Sequence, residues 1–309
     1  MAYENIVTVA TINFNAEWGN KAGNLARIKE YMKAAAERGA KIILFPEMAL
    51  TGYNVDNDGI AMQQRDAETV PGPSSESLAD IAKLYGVYAV VGLPERDAKS
   101  SILYNSALVV GPEGIVGCYR KIHPAGKESL WAKKGNEPLM FDTPWGPVGV
   151  GICFDTYCFP ELFRYYAALG SRLYLNPTAV HNIDGWQDFY YTLLKARAIE
   201  NGQFLVSSNL AGPDKDMLFP GGSLVAGPKV TGIGSTYYAE PIEHEEALLL
   251  ATIDLSISDK ARKLLTLYNA NPITGVPDWR PDIYVDLLKR LEDSEKWGGS
   301  KKPEIAAVG

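Results

Sequence analysis

Strand follows strand in this chain far more often than one simple sheet can absorb, and that succession limits the fold more than any single motif. Segments rich in β-branched and aromatic residues begin with IVTVATINF and KIILFPE and continue through VYAVVGLPE, SILYNSALVVGPEG and GIVGCYRKIH. PVGVGICFD, RLYLNPTA, QFLVSSNL and ALLLATIDL complete a set of about nine or ten. Fewer helices lie between them. The first runs from Asn24 to Arg38, where Leu25, Ile28, Met32 and Ala35 recur at helical spacing before Gly39 caps the end. PSSESLADIAKLYG reads as a Ser-capped helix that stops at Gly86, and two more are expected near residues 159 to 169 and 186 to 201. In the last of these Trp186, Phe189, Tyr190, Leu193 and Leu194 share a face that reads as core. The Gly-Pro-Glu-Gly turn between two neighbouring strands implies an antiparallel pair. So many strands with so few helices are buried best by two sheets packed face to face, each covered outside by helices.

The chain has 309 residues and shows no linker or shift in composition before about residue 280, so it reads as one domain over 1–280. Residues 281–309 read as a C-terminal helix and polar tail, an arm on the surface or at a subunit interface. A formal net charge of -7 argues against a nucleic-acid surface, which needs a basic stripe to displace counterions. The N-terminus carries Glu4 where a signal peptide needs a basic residue, and no apolar run reaches membrane-spanning length. No export, no membrane span and a cytoplasmic location are the expectations. Cys118, Cys153 and Cys158 are too few for a disulfide framework, and His123, His181 and His244 lie too far apart for a metal-ligand motif. The GxSxG elbow and the GxxxxGK[ST] phosphate loop are also missing.

Three strands end in residues with chemistry to offer. Cys153 closes GVGICFD just before the proline-started segment FPEL, where backbone N–H groups and a helix N-terminus stabilise a thiolate. Most free cysteines are small buried hydrophobes. Glu47 closes KIILFPE and Lys121 closes GCYRKIH; each taken alone reads first as a solvated strand-end charge. Together they supply a nucleophile, a base and a fixed cation. A cysteine with no histidine in its own motif needs another base, and a partly desolvated carboxylate has its pKa raised toward that role. The set suits attack on a carbon bonded to nitrogen.

Four blocks carry a resemblance: LFPEMALTGY around Glu47, YRKIHPAGKES around Lys121, GVGICFDTYCFPEL around Cys153, and NPTA followed by the helix ending KARAIENGQFLVSSN. In that order and spacing the chain, from residue 5 to about 285, resembles the nitrilase superfamily of carbon-nitrogen hydrolases. The resemblance implies an α/β fold, a four-layer αββα sandwich of two mixed β-sheets flanked by helices. It implies Glu47 as general base, Cys153 as nucleophile, and Lys121 with the Phe154 N–H as the oxyanion hole. Glu128 fits the second glutamate that members often carry after the lysine; its other reading is a solvent-facing charge. The resemblance further implies a thioester intermediate, no cofactor or metal, and a homodimer or higher even-numbered assembly. True nitrilases commonly follow the cysteine with Trp-Glu, whereas this chain has Phe154 and Asp155, which favours hydrolysis of a small amide. An N-carbamoyl substrate and then a nitrile are the alternatives. Tyr53, Trp131, Tyr157, His181 and Trp186 lie in or beside the matched blocks as candidate substrate-binding residues. The absence of an obvious arginine in those blocks argues against a dedicated carboxylate clamp, and Arg164 reads as an ion-pair partner or a helix-face charge.

Overall fold

The computed structural model describes residues 3–53 and 56–292. The first sheet holds β1 (Ile6–Asn13), β2 (Ile42–Leu44), β3 (Tyr88–Arg96), β4 (Leu103–Gly111) and β5 (Gly114–Arg120), with the late strand β14 (Ala247–Asp254) beside β1. The second holds β6 (Leu139–Thr143), β7 (Gly146–Val150), β8 (Leu173–Thr178), β9 (Phe204–Asn209), β12 (Leu224–Pro228) and β13 (Ser235–Ala239). A hairpin of β10 (Ala211–Asp214) and β11 (Met217–Pro220) stands apart. Across the order β14-β1-β2-β3-β4-β5 the pairings run antiparallel, parallel, parallel, antiparallel, antiparallel. The order β6-β7-β8-β9-β12-β13 repeats the same succession. Two alike mixed sheets thus meet face to face, as the strand count requires.

Alternation along the strands decides which layer each residue joins. Val7, Val9, Ile42, Leu44 and Val90 belong to the core between the sheets, with Val148, Val150, Leu173 and Leu175 of the second sheet. Ala10, Ile12, Ile43, Phe45 and Val91 point the other way, onto helices α1 (Lys21–Glu37) and α3 (Pro73–Tyr85) through Ile28, Met32, Ala35, Leu78 and Ala82. Helix α5 (Pro160–Ala168) covers the second sheet, its Phe163 and Tyr166 rings 4.3 and 6.0 Å from Tyr174. Helix α6 (Leu193–Asn201), preceded by a π-helical turn over Asp188–Thr192, covers the same side with Tyr190 and Leu194. The remaining helices are α2 (Asn57–Asp66), the single turn α4 (Phe154–Tyr157), α7 (Ser256–Leu264) and α8 (Pro281–Glu292).

Local details depart from the sequence reading. Helix α1 starts at Lys21, because the Asn20 side chain accepts the Gly23 N–H and opens the helix one turn early. Helix α3 has Gly72 at its N-cap with Pro73 first in the helix, and Ser75 turns back to bond Gly72 from inside. Gly86 ends it in the left-handed conformation, as expected. Phe189 is 41% exposed, because the buried stripe runs Trp186, Tyr190, Leu194 and leaves Phe189 beside it. The chain divides into two compact units, one reaching Ala261 and the other beginning at Arg262. Of the expected tail, residues 293–309 lie outside the described residues.

One glycine fixes where the first reactive loop lies. Gly92 in β3 donates its N–H to the Pro46 carbonyl, and a Cβ there would stand 2.4 Å from the Met48 nitrogen and 2.6 Å from Glu47 Cα. Those obstacles are backbone and cannot swing aside. Gly92→Ala is therefore expected to displace the Glu47 loop, destabilising the fold by about 1–3 kcal/mol and lowering activity with it. Thermal unfolding checks the first effect as a fall in Tm of several degrees.

Candidate active site

Glu47, Lys121 and Cys153 all lie just past the carboxyl ends of strands, where open α/β sheets collect reacting groups. Glu47 follows β2 in a tight turn that places Met48 at φ 54° and Gly52 at φ 87°. Gln63 of α2 secures that turn by donating to the Gly52 carbonyl, while Thr51 donates to the Gln63 side-chain oxygen. Lys121 follows β5, its backbone N–H on the Asn105 carbonyl. Glu128 sits in a 3-10 turn over Gly126–Leu130 and accepts the Ala125 N–H at 2.8 Å.

Glu47, Lys121 and Glu128 are all fully buried. Lys121 Nζ donates to Glu47 Oε1 at 2.6 Å and to Glu128 Oε1 and Oε2 at 2.9 and 2.8 Å. Asn105 joins the two carboxylates, its Nδ2 donating to Glu47 Oε1 at 2.7 Å and to Glu128 Oε1 at 3.2 Å. The solvent-facing reading of Glu128 is thereby excluded. Glu47 Oε2 is also buried, and among the described residues no donor reaches it. One carboxylate oxygen is thus clamped and the other is left with its lone pairs unused.

Burial sets the proton affinities. It pushes the Glu47 carboxyl up to about 7, a rise that the Lys121 ammonium limits and the Glu128 charge assists. Burial works against the Lys121 ammonium, yet Glu128 and Glu47 hold its pKa well above the ordinary lysine range. The Cys153 thiol is raised, first by burial and then by the Glu47 charge, while Lys121, the Thr178 hydroxyl and the Ala179 N–H favour the thiolate. Glu47 and Lys121 thus act on the Cys153 thiol in opposite directions.

The backbone at Cys153 is a strained elbow, φ 50° and ψ -104°, a conformation unusual for a residue with a side chain. Its N–H is held by the Pro177 carbonyl at 3.0 Å and by Asn176 Oδ1 at 3.0 Å. Helix α4 starts at the next residue, so the Phe154 N–H is the first of that turn.

Of the candidate binding residues, Tyr53 joins the cluster directly. Its hydroxyl bonds Glu128, and burial with the Glu128 and Glu47 charges raises its pKa well above the usual range. Tyr157 lies behind Cys153, donating to Thr178 Oγ1 at 2.8 Å and accepting from Asn176 Nδ2 at 3.1 Å. Trp186 packs on Tyr190 and Tyr191 in the aromatic core. His181, half-buried in the loop after β8, has its pKa lowered by burial. Trp131 is buried in one cluster with Tyr53, Ala179 and Phe219, its Nε1 unbonded among the described residues. Arg164 reaches Glu200 at 3.7 Å on the helical surface. Sequence reasoning missed Asn105, Asn176 and Thr178. Asn176 and Thr178 stand inside the NPTA block; Asn105 sits mid-strand with no local mark. Among the described residues no group of three or more His, Cys, Asp and Glu side chains is placed to hold a metal ion.

A buried carboxylate-lysine cluster and a strained cysteine elbow thus both lie past the strand ends of paired αββα sheets. The carbon-nitrogen hydrolase profile matches residues 8–263, and the chain belongs to that family. A probable nitrilase of Schizosaccharomyces pombe is 34% identical over 269 residues, 86% of this chain and 92% of the relative. An omega-amidase of Homo sapiens, NIT2, is 31% identical over 284 residues, 87% and 94% of the two chains. Nit3 of Saccharomyces cerevisiae, a nitrilase-superfamily structure, superposes with a TM-score of 0.75 at 22% identity, covering 85% of this chain and 95% of that one.

Proposed function

We propose that this carbon-nitrogen hydrolase cleaves a small uncharged amide to a carboxylic acid and ammonia, with Cys153 as nucleophile and Glu47 as base. The observation that carries the reading is the division of labour on Glu47: Oε1 is held by Lys121 and Asn105, and Oε2 has no partner among the described residues. In the first half-reaction Oε2 takes the thiol proton as Sγ adds to the amide carbon. The oxyanion is met by the Lys121 ammonium and the Phe154 N–H, donors fixed before substrate arrives. The C–N bond then breaks, Glu47 gives its proton to the leaving nitrogen, and ammonia departs from a thioester. In the second half Glu47 takes a proton from water and the hydroxide adds to the thioester carbon; the C–S bond then breaks, Glu47 returns its proton to Sγ, and the acid leaves. Glu128 holds the lysine and completes the polar wall.

Substrate charge follows from the cluster. Two carboxylates face one ammonium, so the site is neutral with Glu47 protonated and carries one negative charge with Glu47 ionised. A substrate carboxylate near the reacting carbon would meet like charge in a buried setting. The omega-amidase relative supports the amide reading, and the nitrilase relative sets the competing arm of the test. A panel of short aliphatic amides, ureido acids and nitriles, assayed for ammonia and by intact mass for an acyl adduct, is expected to show amides turned over with the acyl mass on Cys153. Nitriles consumed with amides untouched would overturn the reaction class, and carbon dioxide released with the ammonia would mark a carbamoyl substrate.

The same proposal covers the assembly and its setting. A homodimer or larger even-numbered oligomer, paired through helices beside the site, is the expected state, and light scattering on the purified chain measures it. A cytoplasmic setting is part of the proposal; among the described residues no helix is long and apolar enough to cross a membrane.

A further inference from the structure

Glu47, Asn105, Lys121 and Glu128 belong to the first sheet and its loops, whereas Cys153 and Phe154 belong to the second. The reaction needs donors from both on one oxygen atom. Strand β5, which delivers Lys121, is the edge of its sheet and bonds only β4 there. Something must fix that edge against the elbow.

We infer that Asp155 is the positioning residue that sets Lys121 against Cys153 and the Phe154 N–H, acting with His123 as a brace between the two sheets. Asp155 is fully buried and its two oxygens take four donors. Oδ2 accepts the Tyr119 hydroxyl at 2.8 Å and the Ile152 N–H at 3.2 Å. Oδ1 accepts the His123 N–H at 2.9 Å and faces His123 Nδ1 at 2.8 Å, an oxygen that can only accept and so selects the Nδ1–H form of the ring. Tyr119 and His123 flank Lys121 two residues to either side. Ile152 immediately precedes Cys153. Among the described residues, every hydrogen bond joining residues 119–123 to residues 150–159 runs through this carboxylate.

A second contact closes the brace. The His123 ring stacks on Phe159 with centroids 3.6 Å apart and planes 9° from parallel, and Phe159 meets Phe154 edge-on at 5.5 Å. The stretch after the nucleophile is thus held at Asp155 by hydrogen bonds and at Phe159 by ring contact, both to one histidine. Neither Asp155 nor His123 has a role in the proton transfers. Their effect is on geometry, where a displacement of about 1 Å costs on the order of 10²-fold in rate.

This inference rests on the proposed roles of Cys153 and Lys121, and the experiment separates the two. Asp155→Asn, His123→Ala and His123→Asn are compared with the parent on one amide from the panel, each rate expressed per alkylatable active-site thiol, and with Cys153→Ala, whose rate is expressed per protein. Asn at position 123 places an NH2 donor where Nδ1–H stood. Asp155→Asn is expected to lower kcat about 10²-fold with KM changed less than about threefold, because one carboxamide oxygen cannot serve four donors. His123→Ala should lose roughly tenfold in kcat, and His123→Asn should recover about fivefold of it. His123 is partly exposed, so that pair keeps the test decisive even if Asp155→Asn fails to fold. Parent-like kcat in His123→Ala and in any folded Asp155→Asn, or equal losses in the two His123 variants, would overturn the brace. A Cys153→Ala protein that still releases ammonia would instead overturn the function on which it rests.

Discussion

Cys153→Ala is expected to lower ammonia release by at least about 10⁴-fold while the protein stays folded. The magnitude follows from what the thiol alone supplies. Without Sγ no thioester forms, and water would have to attack an amide directly, helped by Glu47 as base and by the Lys121 and Phe154 donors. Those groups account for the residual rate, since oxyanion stabilisation and binding survive loss of the nucleophile. Folding should be little affected, because Ala keeps the Cβ and the N–H that hold the elbow to Asn176 and Pro177. Ammonia release and thermal unfolding, measured together on the variant, separate lost chemistry from lost structure. Turnover within tenfold of the parent would sink the proposed mechanism. Cys153→Ser should resemble the alanine variant more than the parent. A hydroxyl holds its proton far more tightly than a thiol, and a carboxylate ionising at about 7 is too weak to remove it efficiently.

The candidate site of this chain was more legible in its sequence than its edges were. Glu47, Lys121 and Cys153 stand next to Pro46, Arg120 and Phe154 in dense local motifs, because each must leave a strand and turn at once. Fixed turns leave a local signature. Glu128 was legible by its offset from Lys121, but its burial was not, since AGKESLWAKKG reads as a polar surface strip until Lys121 turns inward to meet it. Asn105 was invisible because a buried polar residue in mid-strand has no local sign; only the approach of two carboxylates from other elements gives it a purpose.

Among the strands, those with continuous apolar runs were readable and five others were not: β6, β10, β11, β12 and β13. LMFDT is short and ends against a turn, and LFPGGSLVAGPKV breaks its apolar residues with Gly and Pro. Such strands are set by pairing to a neighbour and not by their own propensity. Strand β12 takes its register from β9, with Leu224 opposite Ser207 and Val225 opposite Val206. The face of Tyr157 was equally beyond the sequence, whereas the core face of Trp186 followed from the helical spacing of residues 186 to 201. Both lie in the right blocks, but helical phase turns one behind the cysteine and the other into the aromatic core.

Glu47→Gln is expected to lower kcat about 10³-fold and to abolish the rise in activity through neutral pH. The variant is a close replacement. Its carboxamide oxygen can accept from Lys121 and Asn105 as Oε1 does, and its NH2 would stand where Oε2 meets no donor among the described residues. What disappears is the capacity to take a proton. On the proposed mechanism Glu47 works only when ionised, and burial places that ionisation at about 7. The Cys153 thiol is raised and keeps its proton, so kcat/KM should climb about tenfold per pH unit below 7 and level off above it. The apparent pKa belongs to the coupled cluster, in which Lys121 opposes the rise and Glu128 adds to it. Folding responds with the opposite sign. A carboxyl that binds its proton more tightly in the folded chain than at the ordinary 4.5 contributes stability fully present below 4.5 and lost as pH rises through about 7. That contribution is on the order of 3 kcal/mol, so the enzyme gains activity over the pH window in which Glu47 withdraws its support from the fold. Initial rates and urea midpoints measured from pH 5 to 9 on parent and variant test both slopes. A Glu47→Gln protein whose residual activity still rose through neutral pH would assign the titration, and with it the base, to another group.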